Sequence, residues 1–207
     1  METLLEVNFI QHYNLPASPA IDWFIKTSEV YFEIEDTNAG EIILHTGRGI
    51  GIGKFSNNNA LDVTIINYDK FITSIQDEPF KSGRKRCDIL LVDANNRYLI
   101  LGELKDRNIL NGKSGKVRGK AKKQLLSSLQ TMLAVPQILT HSNRIAIKRC
   151  CYFNKQSASP FSLNATNAFN RLPNIYPDGF KMSNPGIEAL NFDFYEFTGE
   201  QTMALLN

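Results

Sequence analysis

The sequence has 207 residues, 43% of them hydrophobic, and its 23 basic and 21 acidic residues leave a formal net charge of only +2. This size and composition fit a soluble globular protein and predict one domain, residues 1–207, with a sizeable core. No run of about 18 apolar residues occurs, which excludes a predicted membrane-spanning helix.

The N-terminal part, residues 1–80, predicts short helices followed by strands. Residues 1–28 are expected to be helical in pieces, with Ser18-Pro19 as the cap and first turn of one helix. Turns are expected at Asn38–Gly40 and Asn57–Asn59. The strand patterns in this part are Val30–Glu35, Glu41–Thr46 and Leu61–Tyr68.

A glycine-rich run at Gly47–Gly53 has the look of a phosphate-binding loop. A Walker A motif, however, requires Gly at position 48 and Ser or Thr at position 55, where Arg48 and Phe55 stand. We therefore interpret the run as a tight bend or a bulged strand, with a substrate-contacting loop as the lesser alternative.

Residues 86–105 predict a β-hairpin, because two apolar runs rich in β-branched and aromatic residues flank Asn95-Asn96. Asn tolerates the positive φ that a two-residue hairpin turn requires. With this pair as the loop, the numbers of facing residues add up to 191, which places Asp88 opposite Glu103. Facing side chains have Cβ atoms roughly 4.5–5.5 Å apart. Lys105, two residues beyond Glu103, projects from the same face.

Both faces of the hairpin are apolar, which is the pattern of strands buried on both sides. Asp88 and Glu103 extend one of these faces. Carboxylates in that position need partners, since burial of an unpaired charge is costly. The alternative is an inert hairpin whose charged residues face water. The apolar residues on the acidic face are Leu90, Val92, Leu99 and Leu101, and those on the other face are Ile89, Leu91, Ile100 and Leu104.

A helix is predicted from Gly119 to about Val135, after a loop at residues 106–118 that is rich in Gly, Lys and Asn. Leu and Met residues recur in it at helical spacing. Gln124 is expected near the first turn of this helix, where it either reaches the strand ends or is merely solvated. The later elements are a strand at Arg144–Phe153 reached by a right-handed crossover, an irregular stretch at residues 154–188 and a final strand at Leu190–Phe197.

Two facing carboxylates repel each other, and a sequence tolerates that cost more readily if a cation lies between them. Mg²⁺ takes oxygen ligands and often needs only one or two carboxylates, with water and substrate phosphate as the other ligands. Lys105 would then stand at the edge of the site, placed to orient or help deprotonate an attacking water. Asp88, Glu103 and Lys105 therefore predict metal-assisted phosphodiester hydrolysis, with Mg²⁺ as cofactor and Mn²⁺ as a substitute.

An aspartate followed roughly fifteen residues later by Glu-x-Lys on an adjacent strand resembles the PD-(D/E)xK nuclease superfamily. Its members include restriction endonucleases, junction resolvases and DNA-repair or defence nucleases. The likeness covers about residues 84–130. It implies an α/β fold with a restriction endonuclease-like mixed β-sheet core flanked by helices. Residues 81–153 would form this core, with an N-terminal β-rich elaboration and an irregular segment and strand at residues 154–207.

The resemblance also implies roles for single residues. Asp88 and Glu103 correspond to the metal-binding carboxylates of the family, and the Leu104 carbonyl to a further metal ligand. Lys105 corresponds to the lysine that helps to activate water. In several branches a glutamine on the next helix completes the site, which here is Gln124.

Two positions depart from the family pattern. Some branches carry a tyrosine four residues after the glutamine, where this sequence has Ser128. A proline often precedes the first acidic residue of the site, where this sequence has Cys87.

Basic residues are concentrated around the same segment. Residues 81–123 contain 13 Lys and Arg against 4 acids, a local charge of +9 in a chain of net charge +2. Basic clusters beside a pair of acids suit a polyanion whose phosphates must approach them. The alternative is a solvated basic loop or a nucleic-acid patch without chemistry. The predicted nucleic-acid-binding residues are Arg84, Lys85, Arg86, Lys113, Lys116, Arg118, Lys120, Lys122 and Lys123.

The sequence therefore predicts a Mg²⁺-dependent DNA endonuclease, and the resemblance favours restriction-type or defence-type cleavage of duplex DNA. The alternatives are a structure-specific nuclease, such as a junction resolvase or repair enzyme, and a non-catalytic nucleic-acid-binding subunit that keeps the fold. Cleavage of both strands of a duplex favours a symmetric homodimer.

Location is predicted from the cysteines and the N-terminus. The three cysteines, Cys87, Cys150 and Cys151, are an odd number without metal or redox spacing, as expected of buried thiols in a reducing compartment. The first residues lack the basic start and apolar stretch of a signal peptide. We expect a cytoplasmic protein without a membrane partner.

Overall fold

The structure of the chain, a computed structural model, describes residues 1–16, 22–37, 39–107, 114–156 and 178–206, the side chains of 114 and 115 excepted. The expected helix start at Ser18-Pro19 lies outside these ranges. The strands are β1 (Phe24–Thr27), β2 (Tyr31–Asp36), β3 (Ile42–His45), β4 (Gly53–Ser56), β5 (Val63–Asn67), β6 (Ile89–Asp93), β7 (Tyr98–Lys105), β8 (Ile147–Asn154), β9 (Phe180–Met182), β10 (Asp193–Thr198) and β11 (Met203–Ala204).

Helices surround these strands. A π-helical segment, Leu4–Phe9, runs directly into the first α-helix. None of the helices in the described ranges has the length and apolar character needed to cross a bilayer. The α-helices are α1 (Ile10–His12), α2 (Tyr68–Ser74), α3 (Glu78–Lys81), α4 (Ser114–Leu133), α5 (Pro136–Ser142) and α6 (Pro185–Glu188).

The strands form two sheets, which confirms the predicted α/β class. The large sheet has the order β1-β5-β6-β7-β8-β10-β9, and the small sheet has the order β11-β4-β2-β3. The neighbours β5, β6 and β7 are antiparallel, whereas β7, β8 and β10 are parallel. The chain passes through α4 and α5 between β7 and β8, which is the strand–helix–strand order that the sequence predicted.

Two apolar layers cover the large sheet. On one face, β6 and β7 pack with α4, whose inward residues Ala121, Leu125 and Leu129 are fully buried. On the other face the same strands meet the small sheet, where Phe32 and Phe55 stack at 5.0 Å between ring centroids. The hairpin is thus buried on both sides, as its doubly apolar pattern predicted.

The register of the β6–β7 hairpin is the predicted one. Ile89 pairs with Gly102 and Val92 with Leu99, so facing residue numbers add up to 191. The predicted two-residue turn is wrong, because residues 94–97 form a longer connection and only Asn96 has positive φ.

The Asp93 side chain organises this turn in place of an Asn-Asn turn. It accepts hydrogen bonds from the backbone N–H of Asn95 (3.1 Å), Arg97 (2.7 Å) and Tyr98 (2.7 Å). Asp93→Ala removes the shared acceptor of these three donors, of which the Tyr98 N–H belongs to a buried residue and cannot turn to water instead. We expect a loss of about 2 kcal/mol in the free energy of unfolding, measured by urea denaturation. A loss below about 0.5 kcal/mol, the scatter of ordinary surface substitutions, would contradict this account.

Other predicted boundaries also require correction. Part of the N-terminal stretch expected to be helical is strand β1 (Phe24–Thr27), which pairs with β5. Helix α4 begins at Ser114, so part of the predicted loop at 106–118 is helical. The predicted irregular stretch contains β9 and α6 in its described part, while residues 157–177 lie outside the described ranges. In each case tertiary pairing or packing outweighs weak local signals.

Candidate active site

Asp88 and Glu103 meet at the ammonium group of Lys105. Nζ of Lys105 lies 3.2 Å from Oδ2 of Asp88 and 2.7 Å from Oε1 of Glu103. The Glu103 side chain is fully buried, whereas those of Lys105 and Asp88 are 20% and 12% exposed. Solvent therefore reaches this group of three residues from the side of Lys105 and Asp88.

The hairpin backbone places the two carboxylates. Asp88 directly precedes β6, and its N–H donates to the Gly102 carbonyl (3.0 Å), which extends the ladder by one residue. Its Oδ2 also accepts from the Leu104 N–H at 2.6 Å. A Cβ atom at Gly102 would lie 2.6 Å from a side-chain carbon of Ile89. Glycine at this position therefore leaves room for the Ile89 side chain, which lies across it beside the acids.

Burial dominates the electrostatics of the site. Burial, reinforced by Asp88, raises the pKa of Glu103 to about 8, against the lowering effect of Lys105. Burial also raises the pKa of Asp88, although Lys105 and the Leu104 N–H favour its charged form. For Lys105, burial opposes the charge, but the two carboxylates outweigh it and raise its pKa. Glu103 thus keeps its proton to a higher pH than an ordinary glutamate, while Lys105 stays charged.

A charged Lys105 limits what this side chain can do. An ammonium group donates hydrogen bonds and carries no lone pair, so it cannot accept a proton from water. In the observed arrangement Lys105 can orient a water molecule or stabilise a developing anion. Lys105 could accept a proton from water only after it had lost its own, and the two carboxylates oppose that loss because they raise its pKa.

The donor set suits a hard divalent cation with few protein ligands. Two carboxylates share a single positive charge, and Oε2 of Glu103 is buried without a hydrogen-bond partner in the described structure. No group of three or more His, Cys, Asp and Glu residues in the described ranges is arranged to hold a metal. Of the predicted ligands, the structure brings together the carboxylates of Asp88 and Glu103, and so few protein ligands are compatible with Mg²⁺ because this ion usually keeps several waters. The Leu104 carbonyl remains a ligand expected from the family resemblance alone.

Gln124 supports the chain that leads into Asp88. Because α4 begins at Ser114, Gln124 lies in its third turn and not near the first turn as predicted. Its amide donates to the Arg86 carbonyl at 2.8 Å. One turn later, the Ser128 hydroxyl accepts from the Cys87 N–H at 2.7 Å. The predicted glutamine thus holds the backbone beside the site, and its side-chain hydrogen bond goes to the Arg86 carbonyl and not to the acids.

Two acids that sequence reasoning missed lie near Asp88. Burial, followed by the charge of Asp88, raises the pKa of Asp36 to about 6. The negative charge of Asp69, at the start of α2, raises the pKa of Asp88 further. Asp69 itself forms an ion pair with Arg86 at 2.7 Å. No local pattern identifies Asp36, because it lies on the small sheet and only packing of the two sheets brings it here.

The predicted basic residues divide into two groups. Four of the predicted lysines are exposed: Lys85, Lys116, Lys120 and Lys123. The positive charge of Lys120 slightly opposes the rise in the pKa of Glu103. Arg84 is exposed too, but its guanidinium lies over the Phe80 ring at 4.3 Å. Lys113 lies outside the described residues.

The other three predicted basic residues have carboxylate partners within the fold. Arg86 pairs with Asp69, as described above. Arg118 and Lys122 lie 3.1 and 3.8 Å from the carboxylate of Glu196. A Coulombic partner within the fold satisfies part of their charge, which the sequence pattern could not reveal.

The glycine-rich segment binds an anion of the chain itself. The backbone N–H groups of Gly49, Ile50 and Gly51 donate to the Glu33 carboxylate at 2.9, 2.9 and 2.7 Å. Burial disfavours the charged form of Glu33, but the Tyr31 hydroxyl and these N–H groups outweigh it and lower its pKa. The segment is therefore a bend that cradles a carboxylate from β2.

Comparisons of the chain with protein-family models, with curated proteins and with solved structures gave no significant match.

Proposed function

We propose that this chain is a Mg²⁺-dependent DNA endonuclease of the restriction or defence type, belonging to the PD-(D/E)xK superfamily. The observation that carries the proposal is the convergence of Asp88 and Glu103, from neighbouring hairpin strands, on the Lys105 ammonium. Perturbed pKa values of buried acids are typical of functional sites. Mn²⁺ is expected to replace Mg²⁺.

Each residue of the site has a proposed role. Asp88, Glu103 and the Leu104 carbonyl hold the cation, which when bound supplies Lewis-acid charge at the phosphate and a more acidic water. Lys105 orients the attacking water from the solvent-exposed side. Gln124 keeps the Arg86–Asp88 backbone in place. The exposed lysines described above attract the phosphate backbone to this side.

The proposal includes a location and an assembly. Cys87, Cys150 and Cys151 are buried thiols, which suit the reducing cytoplasm. Duplex cleavage requires two sites, and a two-fold symmetric homodimer supplies them.

A cleavage assay tests the proposed activity. The purified chain is incubated with plasmid, linear duplex, four-way junction and single-stranded DNA, in Mg²⁺, in Mn²⁺ and in chelator. We expect metal-dependent cleavage of duplex DNA, and preference for the junction would instead indicate a structure-specific nuclease. Asp88→Asn should slow cleavage at least about 100-fold, the order of effect when a charge-stabilising group is lost, and leave DNA affinity intact.

Asp93→Asn is the matched control, because Asp93 is a buried aspartate at the opposite end of β6. Its cleavage rate should equal that of the wild type. A non-catalytic nucleic-acid-binding subunit is the second candidate, and the Lys105 bridge favours it, since Lys105 neutralises the acids without any metal. DNA binding without metal-dependent cleavage in the wild type would decide for that candidate.

A further inference from the structure

A polar row crosses the large sheet beside the candidate active site. Tyr152 of β8 is the register partner of Glu103 in β7 and of Glu196 in β10. Register partners on neighbouring strands project from the same face, so these three side chains lie next to one another. Each stands two residues before the end of its strand, on the face that α4 covers.

This row contains one buried donor, the Tyr152 hydroxyl, and two buried carboxylates, Glu103 and Glu196, each with an oxygen that has no hydrogen-bond partner in the described structure. Tyr152 is 1% exposed, and within the described structure its hydroxyl has no hydrogen-bond partner. The same holds for Oε2 of Glu103. A buried polar group without a partner destabilises a fold, and in a native structure it requires an explanation. The hydroxyl can donate, and the carboxylate of either cross-strand neighbour can accept.

The two glutamates beside Tyr152 differ in how their charge is balanced. Glu196 has two cations of its own, Arg118 at 3.1 Å and Lys122 at 3.8 Å. Glu103 shares the single Lys105 ammonium with Asp88. Of these two acceptors, Glu103 is therefore the one whose surroundings change when a cation enters the site.

We propose that Tyr152 is a positioning residue of the metal site, whose hydroxyl donates to Glu103 when that carboxylate turns from Lys105 to a bound cation. This inference rests on the proposed function. Carboxylates that bind metals are themselves held by hydrogen bonds, and loss of such a bond typically weakens metal binding 10–100-fold. Tyr152 acts through Glu103 and contacts neither the cation nor DNA. In the metal-free protein, Lys105 holds Oε1 of Glu103 at 2.7 Å, an orientation in which Oε2 and the Tyr152 hydroxyl form no hydrogen bond with each other.

Tyr152→Phe tests the proposal by two readouts that do not depend on cleavage. The first is Mg²⁺ affinity, measured by isothermal titration calorimetry, which should fall about 10–100-fold. The second is the melting temperature without metal, which should stay the same or rise, because phenylalanine removes an unpaired buried hydroxyl. A structural role would give the opposite pattern, a lower melting temperature with unchanged Mg²⁺ affinity.

Tyr98→Phe is the matched control on the opposite face of the sheet. Tyr98 is also 1% exposed, but its hydroxyl donates to the Leu206 carbonyl at 3.0 Å and accepts from the Leu206 N–H at 2.6 Å. This variant should melt at least about 3 °C lower and bind Mg²⁺ like the wild type.

Glu196→Gln tests which of the two glutamates beside Tyr152 belongs to the metal site. Because the proposal gives a role to Glu103 alone, the Mg²⁺ affinity of this variant should stay within about twofold of the wild type.

The outcomes separate this inference from the proposed function. If the wild type binds Mg²⁺ and Tyr152→Phe binds it equally well, or if Tyr152→Phe melts lower or fails to fold, the inference is overturned while the function stands. An effect of Glu196→Gln as large as that of Tyr152→Phe also overturns it. If the wild type binds no Mg²⁺ at all, the proposed function fails and the inference fails with it.

Discussion

Replacing Lys105 with methionine is expected to lower the free energy of unfolding of the metal-free protein by about 3–5 kcal/mol, the usual cost of breaking a buried ion pair from one side. The substitution leaves Asp88 and Glu103 buried without their shared counter-charge. Both must then be protonated to remain buried, whereas in the unfolded chain they ionise freely. The loss should therefore grow as pH rises, which urea unfolding across a pH series measures.

Mg²⁺ should restore part of this loss. A cation held by the two carboxylates supplies the charge that Lys105 no longer provides, and a ligand that binds only the folded state stabilises it. We expect Mg²⁺ to raise the melting temperature of Lys105→Met more than that of the wild type, in which the cation must displace the ammonium. Calcium and chelator arms of the same thermal measurement test the specificity of the effect. Equal stability of both proteins at every pH would contradict the buried bridge.

Lys70→Met is the matched control for this experiment. The Lys70 side chain is 25% exposed, close to the 20% of Lys105, and it pairs at 2.7 Å with one carboxylate, that of Glu41. Glu41 is 52% exposed and regains water when the lysine is removed. We expect a loss below about 1 kcal/mol, as is usual for exposed pairs, with no response to Mg²⁺.

Replacing Glu103 with glutamine is expected to stabilise the free protein in alkaline solution. The pKa of Glu103 rises from an ordinary 4.5 to about 8 in the folded state. Its protonated form is therefore favoured by folding below pH 4.5, and this contribution is lost as pH rises through 8. Each unit of pKa difference corresponds to about 1.4 kcal/mol. Since glutamine does not titrate, the variant should gain a few kcal/mol above pH 8 relative to the wild type.

The same variant should lose Mg²⁺ binding and DNA cleavage. The amide carries no negative charge to attract the cation. A substitution that removes a functional group from a strained site often raises stability while it lowers activity. Calorimetric Mg²⁺ titration and the plasmid assay measure these losses. Wild-type cleavage by Glu103→Gln would remove Glu103 from the proposed mechanism.

Glu33→Gln is the control of opposite sign. Glu33 is as fully buried as Glu103, but the hydrogen bonds from Tyr31 and the Gly49–Gly51 backbone lower its pKa. Its ionised form is therefore favoured by folding, and its contribution is present at neutral pH and lost on acidification. This glutamine variant should be less stable than the wild type at neutral pH and should cleave DNA normally.

Local patterns predicted the hairpin well for a specific physical reason. Side chains alternate strictly along a strand, so a shift of one residue would have turned every apolar residue of β6 and β7 to the wrong face. With both faces buried, the register follows from the pattern even though the expected Asn95-Asn96 turn is wrong. The observed turn depends on three hydrogen bonds to Asp93, which the type of turn residue did not indicate.

Helix α4 begins five residues earlier than its apolar pattern predicts. Its leucines indicate a helix, but its first five residues, Ser114–Arg118, contain a single large apolar residue, Val117, among Gly and basic residues, a composition that also suits a loop. The positions of Arg118 and Lys122 opposite Glu196 depend on β10, which follows about 75 residues later. A basic helix face is therefore a nucleic-acid surface or an internal ion-pair partner according to what packs beneath it.

By itself the sequence determined that Asp88 and Glu103 share one face of a buried hairpin, because strand periodicity is a local property. Only the tertiary structure decided how these acids are neutralised and which residues surround them. Lys105 turns inward to bridge both acids, Tyr152 stands beside Glu103 in the parallel sheet, and Asp36 arrives from the second sheet. These arrangements join segments far apart in the chain, and their energies come from burial, which no local pattern encodes.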